Sequence, residues 1–509
     1  MGLTQFNGKF IESVIISLLK PYLKDDPGQF GGKKHTGTNN YLLELTEFIM
    51  EAWDSNDLAV AMFCADFSKG FNRLHPARFI TTLSDMGIPA YLIRIIMSYL
   101  SNRRMRVKHN GEMSIEYSLP GGAPQGGLLS IIIFCIYTSG CGMPVENNLA
   151  SLDKMSFPEM PMNFPMRTED EVRTKFVDDT SIAAKLKLDE ILKYKEDIFI
   201  PEYLFEAKTE RELTEYEMSE IPNLLHDQIK RVELFTEYNF MKINESKSKI
   251  LFMNNKKKDG SLKYSCNGSQ LEQTESMKVI GYIFQSNMKI DEQVKHMISK
   301  THPAVWGLRK LMSNGATVDQ GKKFYVAMVR SLLEVNVPVW NGRLSTKDIE
   351  QIEQIQKKCF KIILKGNYLS YDLAKITLSL DSLEDRRLSL SLRFVRKAAK
   401  HHPEMFPVQQ QNRNTRFSSK RPLQVPKFKT ELHKNSGKVY LTRLYNEHLE
   451  SIPEHQPLEL NLGKKRGRCG NCQKCKAPNC GECRFCKDMR QFGGKNKLKQ
   501  ACMERKCLV

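Results

Sequence analysis

Long apolar runs and a secretory leader are both missing from this 509-residue sequence. No apolar stretch approaches the ~18 residues that a membrane-spanning helix needs. The longest, Leu128–Tyr137, is about the length of one buried strand or helix. The N-terminus has no charged head followed by an apolar core, and Phe6 stands where a myristoylation signal requires Ser or Thr. We therefore expect neither a membrane partner nor secretion.

Acidic residues are also fewer than basic residues. The chain has 58 Asp and Glu against 77 Lys and Arg, a formal net charge of +19, and its pI is near 9.2. Such a charge predicts a polyanionic partner, and without a membrane segment nucleic acid is the favoured one. The length allows about two to four domains. With 41% apolar residues, the chain has enough material for a buried core.

The 13 cysteines fall into two groups. Eight of them lie between Cys469 and Cys507 with the spacing C-x2-C-x2-C-x4-C-x2-C-x2-C-x15-C-x4-C. Each triplet offers three thiolates, and the last two cysteines can complete two tetrahedral metal sites. The other five stand singly in apolar contexts and are expected to be small buried hydrophobic residues. These are Cys64, Cys135, Cys141, Cys266 and Cys359.

Two other uses of clustered cysteines fit this spacing less well. A disulfide scaffold requires a secretory context, which is missing here. A ferredoxin-type iron–sulfur motif has three residues before its fourth cysteine and a proline after it. Here the gap is four residues, and Gly481 follows Cys480. Zinc is therefore the favoured metal.

The cysteine-rich segment is strongly basic. From Lys464 to the C-terminus there are fourteen Lys and Arg against three Asp and Glu. Eight thiolates and two Zn²⁺ would still leave about +7 on this short segment. A unit so small cannot bury a sufficient core, so metal binding must supply its folding free energy. Its basic surface suits a phosphate backbone.

Four stretches of this segment resemble the CXXC zinc fingers of chromatin proteins. They are RCGNCQKC at 468–475, NCGECRFCKDM at 479–489, Phe492-Gly-Gly, and Lys499-Gln-Ala-Cys502. The resemblance implies a nuclear protein that binds unmethylated CpG DNA. It also implies that one zinc is held by Cys469, Cys472, Cys475 and Cys507, and the other by Cys480, Cys483, Cys486 and Cys502.

The same resemblance implies which side chains contact DNA. Lys499 and Gln500 would read the bases, and Arg490 would be a further DNA contact. This fits the chemistry, because Lys can donate to guanine O6 and N7 while Gln can accept from cytosine N4. The alternative is a solvated loop that contacts only phosphates. Gln491 stands where many members carry Lys, and we expect weaker phosphate contact there.

Upstream, an acidic residue ends a buried strand and an acidic pair follows later in the chain. The apolar run Leu58–Ala65 predicts the strand, and Asp66 follows it directly; the pair is Asp178-Asp179. Alone, Asp66 fits a helix cap and the pair fits an ordinary turn. Nucleotidyl transfer, however, needs two divalent cations about 4 Å apart, and Mg²⁺ takes only one or two carboxylates plus phosphates. A carboxylate at one strand end, facing a pair at a hairpin turn, supplies such an arrangement.

The upstream motifs, taken in order, resemble the reverse transcriptases of non-LTR retrotransposons from about Phe6 to Leu460. The matching segments are Asp66-Phe-Ser-Lys-Gly-Phe71, Pro124-Gln125-Gly126, Phe176-Val-Asp178-Asp179, Asn244-Glu-Ser-Lys247 and Val279-Ile-Gly281-Tyr. The resemblance implies that Asp66, Asp178 and Asp179 are catalytic and that Lys247 protonates the leaving pyrophosphate. It implies that Phe71 excludes a ribose 2′-hydroxyl, that Gln125 and Gly126 contact template and nucleotide, and that the last segment is the primer grip.

The sequence also departs from that family. Gly127 replaces the usual Ser, and Ser130 stands where Gly is common. The chain is expected to begin in the middle of the fingers, without the basic finger segment that grips the triphosphate and without an N-terminal endonuclease.

An α+β fold follows from the resemblance, with the right-hand architecture of a polymerase. Residues 1–290 would form partial fingers and the palm, and 291–402 a helical thumb. Within the thumb, an apolar stripe from Ile349 to Ile363 predicts a helix that begins at Ser345. Residues 403–463 would form a polar linker or tail, and 464–509 a small, zinc-stapled, irregular module.

Three functions are compatible with these patterns. The first is an RNA-directed DNA polymerase of retroelement origin, tethered to CpG DNA, with an RNA template, dNTPs, two catalytic Mg²⁺ and two structural Zn²⁺. The second is a CpG-binding chromatin protein with an inactive polymerase relic, which the shortened fingers favour. The third is a nucleic-acid-binding scaffold. Clustered carboxylates repel each other, so drift should erase them; the three aspartates therefore favour the first.

Overall fold

The computed structural model describes residues 6–23, 26–55, 58–119, 121–124, 126–141, 168–177, 179–187, 223–254, 263–409, 422–451, 478–494 and 502. The chain divides into two compact units, Met1–Glu450 and Ser451–Val509. Among the described residues, no helix is long and apolar enough to cross a membrane.

The larger unit mixes helices and strands, as the predicted α+β class requires. Its helices are α1 Phe6–Leu19, α2 Thr38–Trp53, α3 Pro76–Asp85, α4 Ala90–Leu100, α5 Leu128–Tyr137, α6 Leu224–Tyr238, α7 Asp291–Ser313, α8 Val318–Phe324, α9 Ser331–Leu333, α10 Val337–Trp340, α11 Thr346–Leu364, α12 Tyr371–Leu378, α13 Leu383–His401, α14 Glu431–Lys434 and α15 Gly437–Glu450. Its strands are β1 Leu58–Ala65, β2 Arg103–Met105, β3 Lys108–His109, β4 Glu112–Met113, β5 Tyr117–Leu119, β6 Glu171–Phe176, β7 Asp179–Lys187, β8 Lys249–Asn254, β9 Ser265–Cys266, β10 Ser269–Gln270, β11 Glu272–Thr274, β12 Ser276–Val279 and β13 Tyr282–Gln285.

A five-stranded sheet in the order β11-β8-β1-β7-β6 forms the centre of this unit. Only the β11–β8 pair is parallel. Side chains alternate between the two faces of β1: Ala61 and Phe63 join one apolar core, while Val60 and Met62 join the other. Because both faces are buried, the strand has a continuous apolar sequence rather than an alternating one.

Helices cover the sheet on both faces. Side chains of α1, α3, α4, α5 and α6 share the first core, and those of α2, α10, α13 and α15 share the second. The N-terminal half of α7 also packs in the second core, through Val294 and Met297. Its C-terminal half packs with α11 and α12 in a third core, through Leu308 and Met312. The α7 helix therefore joins the sheet to the following helical block.

The helical block agrees with the sequence pattern. Ser345 begins α11 with a capping box, in which its hydroxyl accepts the Asp348 N–H while the Asp348 carboxylate accepts the Ser345 N–H. Of the predicted stripe, Ile352, Cys359 and Ile363 are buried. An amphipathic helix with a defined cap is readable from sequence, because both signals are local.

The described part of 403–463 differs from the predicted polar linker. Residues 422–450 return to the sheet and form α14 and α15. Leu423, Leu441 and Tyr445 are buried in the same core as α2. The prediction of a linker or tail is therefore wrong for this stretch.

Polar contacts explain why the polar composition of residues 422–450 wrongly predicted a linker. Lys438 Nζ lies 2.7 Å from Glu44, and His433 lies between Glu47 and Asp54 at 3.3 and 2.7 Å. The three carboxylates belong to α2 and the residue directly after it. Charged residues of the returning segment therefore pair with buried acids far away in the sequence, and no local pattern shows this.

The smaller unit contains one short helix, α16 Arg484–Asp488, followed by a 3₁₀ turn, Arg490–Phe492, among its described residues. This agrees with the expected irregular module.

Candidate active site and metal centre

Two of the three predicted catalytic aspartates are among the described residues, and they share one edge of the central sheet. Asp66 directly follows β1, and Asp179 is the first residue of β7. The last pair between these antiparallel strands is Ala65 with Thr180, so the next position in that register sets Asp66 opposite Asp179. Directly opposed residues have Cα atoms about 4.5–5.5 Å apart and side chains on the same face. The fold therefore brings these two carboxylates together.

The turn that contains Lys247 is bonded to the backbone of Asp66. The Asn244 N–H donates to the Asp66 carbonyl at 2.7 Å, and the Asp66 N–H donates to the buried Ser248 Oγ at 3.1 Å. Within the turn, the Lys247 N–H donates to the Asn244 carbonyl at 3.0 Å. The Lys247 side chain is exposed. An exposed cationic side chain is thus carried by the turn that is hydrogen-bonded to the first aspartate.

The backbone just before Asp179 is strained. β6 and β7 are paired up to Phe176 and Asp179. Val177 has φ +64°, a left-handed conformation that β-branched residues rarely adopt. Its N–H donates at 3.1 Å to Gln29 Oε1, which also accepts the Gly31 N–H at 3.0 Å. Sequence reasoning missed Gln29; the only local signal was the glycine pair that follows Phe30.

Phe71 lies against residues 121–124, which come directly before Gln125 and Gly126. Its ring stacks on Phe134 of α5, with centroids 4.4 Å apart and 17° between the planes. The Phe71 carbonyl accepts the Ala123 N–H at 2.7 Å, and a Cβ on Gly122 would lie 2.7 Å from the Asn72 Cα. The backbone of the predicted ribose-selecting residue therefore contacts Gly122 and Ala123, just before the predicted template-contacting segment.

A buried carboxylate that sequence reasoning missed caps the helix after that loop. Exposed Gly126 precedes α5, and Glu12 Oε2 accepts the Leu128 N–H at 2.6 Å. The other oxygen, Oε1, accepts the Tyr99 hydroxyl at 2.9 Å. A Cβ on Gly127 would lie 2.8 Å from Glu12 Oε1. The Glu12 carboxylate from α1 therefore accepts an N–H at the start of α5, as the side chain of an N-cap serine would. Gly127 leaves space for this carboxylate because it has no side chain.

The remaining predicted site residues lie outside the described residues. These are Gln125, Asp178, Lys499, Gln500, Cys469, Cys472, Cys475 and Cys507.

Four cysteines of the smaller unit converge. The Sγ atoms of Cys480, Cys483, Cys486 and Cys502 all lie within 4.8 Å of one another. The Cys480 Sγ is 3.5 Å from that of Cys502 and 3.9 Å from that of Cys486. Zn–S bonds of about 2.3 Å in a tetrahedron separate the sulfurs by about 3.8 Å. The donor set and its spacing therefore fit Zn²⁺, at the second of the two predicted sites.

Backbone amides support this cluster. The Cys483 N–H donates to Cys480 Sγ, the Cys486 N–H to Cys483 Sγ, and the Cys480 N–H to Cys502 Sγ, each at 3.4 Å. Donors aimed at sulfur favour the thiolate form that binds zinc.

Glycines close the chain around the cluster. Gly481 has φ +77°, and a Cβ on Gly494 would lie 2.2 Å from the Asp488 carbonyl carbon. Glycine is therefore required at position 494, because the backbone of Asp488 lies too close for any side chain there. Arg490, the predicted DNA contact in the described part of this unit, is exposed.

Two family models match this sequence. One, described as "Reverse transcriptase (RNA-dependent DNA polymerase)", matches residues 1–284, more than half of the chain. The chain belongs to the reverse transcriptase family. The other, described as "CXXC zinc finger domain", matches residues 461–507. This reverse transcriptase therefore carries a CXXC zinc finger at its C-terminal end.

Relatives of both parts are known. An RNA-directed DNA polymerase from the mobile element jockey of Drosophila melanogaster is 26% identical over 185 residues, which is 35% of this chain and 18% of that protein. The DNA (cytosine-5)-methyltransferase PliMCI of Paracentrotus lividus is 54% identical over 44 residues, 9% of this chain and 3% of that protein. The matches thus span less than a fifth of these relatives' lengths. The structure of apo telomerase from Candida tropicalis aligns over 78% of this chain and 59% of that chain at 13% identity, with a TM-score of 0.34, too low to carry an argument.

Proposed function

We propose that this reverse transcriptase is of retroelement origin and polymerises DNA on an RNA template. The observation that carries the proposal is the register between β1 and β7, whose last pair, Ala65 with Thr180, directly adjoins Asp66 and Asp179. Asp178, between Val177 and Asp179, would be the third carboxylate.

The donor set suits Mg²⁺. Asp66 is half-buried and Asp179 is exposed, so both carboxylates are open to an ion that keeps several of its waters. Asp66, Asp178 and Asp179 would hold two ions. When bound, the ions stabilise the attacking and leaving oxygens of an in-line displacement.

Other residues act on the substrates. The exposed Lys247, in the turn bonded to Asp66, would donate a proton to the leaving pyrophosphate. Phe71, held flat against Phe134, would exclude a ribose 2′-hydroxyl by its fixed position. Gln125 and Gly126 would contact template and incoming nucleotide.

Primer extension on an RNA template with Mg²⁺ tests this proposal. We expect the native chain to extend the primer, and both Asp66→Asn and Asp178→Ala to lose about a hundredfold or more of the rate. Asp85→Asn, an exposed carboxylate at the end of α3, is the matched control and should keep full activity. If the native chain extends no primer with any divalent metal, the polymerase proposal fails and the inactive-relic alternative takes its place.

We also propose that the zinc module directs this polymerase to unmethylated CpG DNA in the nucleus. The four-sulfur cluster and the basic charge of the segment support a zinc-folded DNA-binding unit. Lys499 and Gln500 would read the base edges, and Arg490 would contact DNA beside them.

DNA binding and chromosomal distribution test the targeting proposal separately. Lys499→Ala should reduce the preference for unmethylated over methylated CpG duplexes by about tenfold to a hundredfold, the size of one lost base contact. In cells, occupancy or insertion by the full chain should concentrate at unmethylated CpG, and Cys483→Ala should spread it. An unchanged distribution in Cys483→Ala would contradict the targeting proposal and would leave the polymerase proposal intact.

A further inference from the structure

We infer that Gln29 is a positioning residue for the proposed polymerisation reaction, because it fixes the backbone at Val177, two residues before Asp179. This inference rests on the proposed function.

The segment that carries Gln29 is anchored to the sheet at its start. Asp26 lies 2.5 Å from Lys175 Nζ and 3.1 Å from the Arg173 guanidinium, with the side chains of Lys175 and Arg173 almost fully buried. Burial would raise the pKa of Asp26, but the charges of Lys175 and Arg173 outweigh it and lower the pKa to about 2. Asp26 is therefore ionised at neutral pH, and Lys175 Nζ also donates to the Thr138 carbonyl at 2.8 Å.

The next residues run alongside β6 as a short parallel bridge. The Lys175 N–H donates to the Gly28 carbonyl at 2.7 Å, and the Phe30 N–H donates to the Lys175 carbonyl at 2.8 Å. Gln29 thus lies between two backbone hydrogen bonds to the strand that leads into the aspartate turn. Its side chain is only 3% exposed.

The segment then makes its closest approach at the turn itself. A Cβ on Gly31 would lie 2.6 Å from Val177 Cγ2 and 2.7 Å from the Val177 nitrogen, so no larger residue fits there. With glycine in place, one side-chain oxygen of Gln29 accepts two N–H groups, that of Gly31 and that of Val177.

Val177 needs such support. A β-branched residue at φ +64° is strained and persists only where its surroundings fix it. Strain of this kind collects at active sites, where it holds a side chain in a working position. Here Val177 lies two residues before Asp179 and directly before Asp178. The hydrogen bond that Gln29 accepts from the Val177 N–H therefore fixes the backbone directly before the carboxylates that would hold the metal ions.

The burial of the Gln29 amide supports a role for its carbonyl oxygen. The Nε2 group is buried with no acceptor among the described residues, which costs stability. For folding alone, an apolar side chain of the same length would serve as well at that end. Such an apolar side chain would, however, lose the two hydrogen bonds that Gln29 Oε1 accepts from the Gly31 and Val177 N–H groups.

Four variants separate positioning from folding. Gln29→Met keeps length and removes the acceptor. Gln29→Glu keeps a carbonyl-type acceptor for both N–H groups. Gln273→Met, at an exposed site on the edge strand β11, is the matched control. Val177→Gly removes the steric cost of the positive φ.

In primer extension we expect Gln29→Met to lower kcat by about tenfold to a hundredfold, with KM for the primer–template unchanged. The Mg²⁺ concentration at half-maximal rate should rise. Gln29→Glu should recover most of the rate, and Gln273→Met should match the native chain. In the Val177→Gly background, the further loss caused by Gln29→Met should shrink, because the strain that Gln29 opposes is gone.

Two measurements do not require turnover. Hydrogen exchange at the Val177 amide should be slow in the native chain and faster in Gln29→Met, while amides within β1 stay protected. Mn²⁺ binding, measured by electron paramagnetic resonance, should weaken in Gln29→Met and not in Gln273→Met.

The outcomes distinguish the two proposals. If the native chain is active and Gln29→Met matches it in kcat and Mg²⁺ dependence, the inference about Gln29 is overturned and the proposed function stands. If the native chain is inactive, the proposed function fails, and unchanged Mn²⁺ binding in Gln29→Met overturns the inference as well. Weaker Mn²⁺ binding would support the positioning of the carboxylates independently of turnover.

Discussion

Single side chains determine much of the pH dependence expected of the larger unit, and His433 is one of them. It is fully buried, with Nδ1 2.7 Å from Asp54 and Nε2 3.3 Å from Glu47. Burial alone would lower the pKa of His433, but hydrogen bonds and charge from Glu47 and Asp54 outweigh it and raise the pKa above its ordinary 6.5. The buried imidazolium links α14 to α2.

The sign of the resulting pH effect follows from linkage. The folded state binds the His433 proton more tightly than the unfolded state does. This contribution to the free energy of unfolding is therefore full below about pH 6.5 and is lost as pH rises through the raised pKa. His433→Gln should cost about 3–5 kcal/mol below pH 6.5, since the buried Glu47 and the half-buried Asp54 lose their cation. It should also flatten the profile above pH 6.5.

Denaturant unfolding of the native chain and of His433→Gln at several pH values measures this contribution to the free energy of unfolding. His109→Gln, at an exposed histidine in the β3–β4 hairpin, is the control and should leave the profile unchanged. A His433→Gln profile parallel to the native one would contradict the assignment.

At the scale of secondary-structure elements, α11 depends on its first residue. Ser345 and Asp348 exchange hydrogen bonds at 3.2 and 3.0 Å, which satisfies two amides at the helix start. Ser345→Ala should lower the free energy of unfolding by about 1 kcal/mol, because one of those amides loses its acceptor. Ser299→Ala, on the exposed face within α7, offers the comparison and should not destabilise. Equal effects of the two changes in chemical denaturation would argue against the cap.

The elements that could be predicted from sequence share one property, which is that their signals are local. β1 was readable from an unbroken apolar run, and α11 from a cap followed by an apolar stripe. That Asp66 and Asp179 lie near each other could be predicted because strand ends and hairpin turns bring carboxylates to one edge of a sheet.

The residues that could not be predicted act across long sequence separations. Glu12 caps a helix 116 residues away, and Gln29 bonds to Val177 148 residues away. The segment 422–450 looked like a linker because its polar residues find their partners on α2. Pairings of this kind depend on the folded arrangement, and composition does not encode them.

At the scale of the whole molecule, we expect zinc binding by the smaller unit and the stability of the larger unit to be independent of each other. All four described ligands, Cys480, Cys483, Cys486 and Cys502, lie in the smaller unit. A strong zinc chelator should abolish DNA binding by that unit, since metal binding supplies its folding free energy. It should leave the unfolding midpoint of the larger unit unchanged.

Two cysteine variants give the same separation genetically. Cys483→Ala should lower the zinc content from two ions per chain to one, with the larger unit as stable as before. Cys359→Ala, buried in the third core, should do the reverse: it should weaken the larger unit by about 1–2 kcal/mol and leave the zinc content at two. Loss of zinc in Cys359→Ala, or an early unfolding of the larger unit in Cys483→Ala, would show that the two are coupled.

The return of 422–450 to α2 also bears on how the chain tolerates interruption. The interface consists of apolar side chains together with the Glu44–Lys438 pair and the buried His433. Such an interface resembles one between subunits more than a covalent tether. A chain synthesised as two separate pieces, divided between residues 409 and 422, should therefore reassemble by complementation when the pieces are mixed. A chain that stops at residue 402 would leave the apolar side chains that pack against Leu423, Leu441 and Tyr445 uncovered, and we expect it to aggregate.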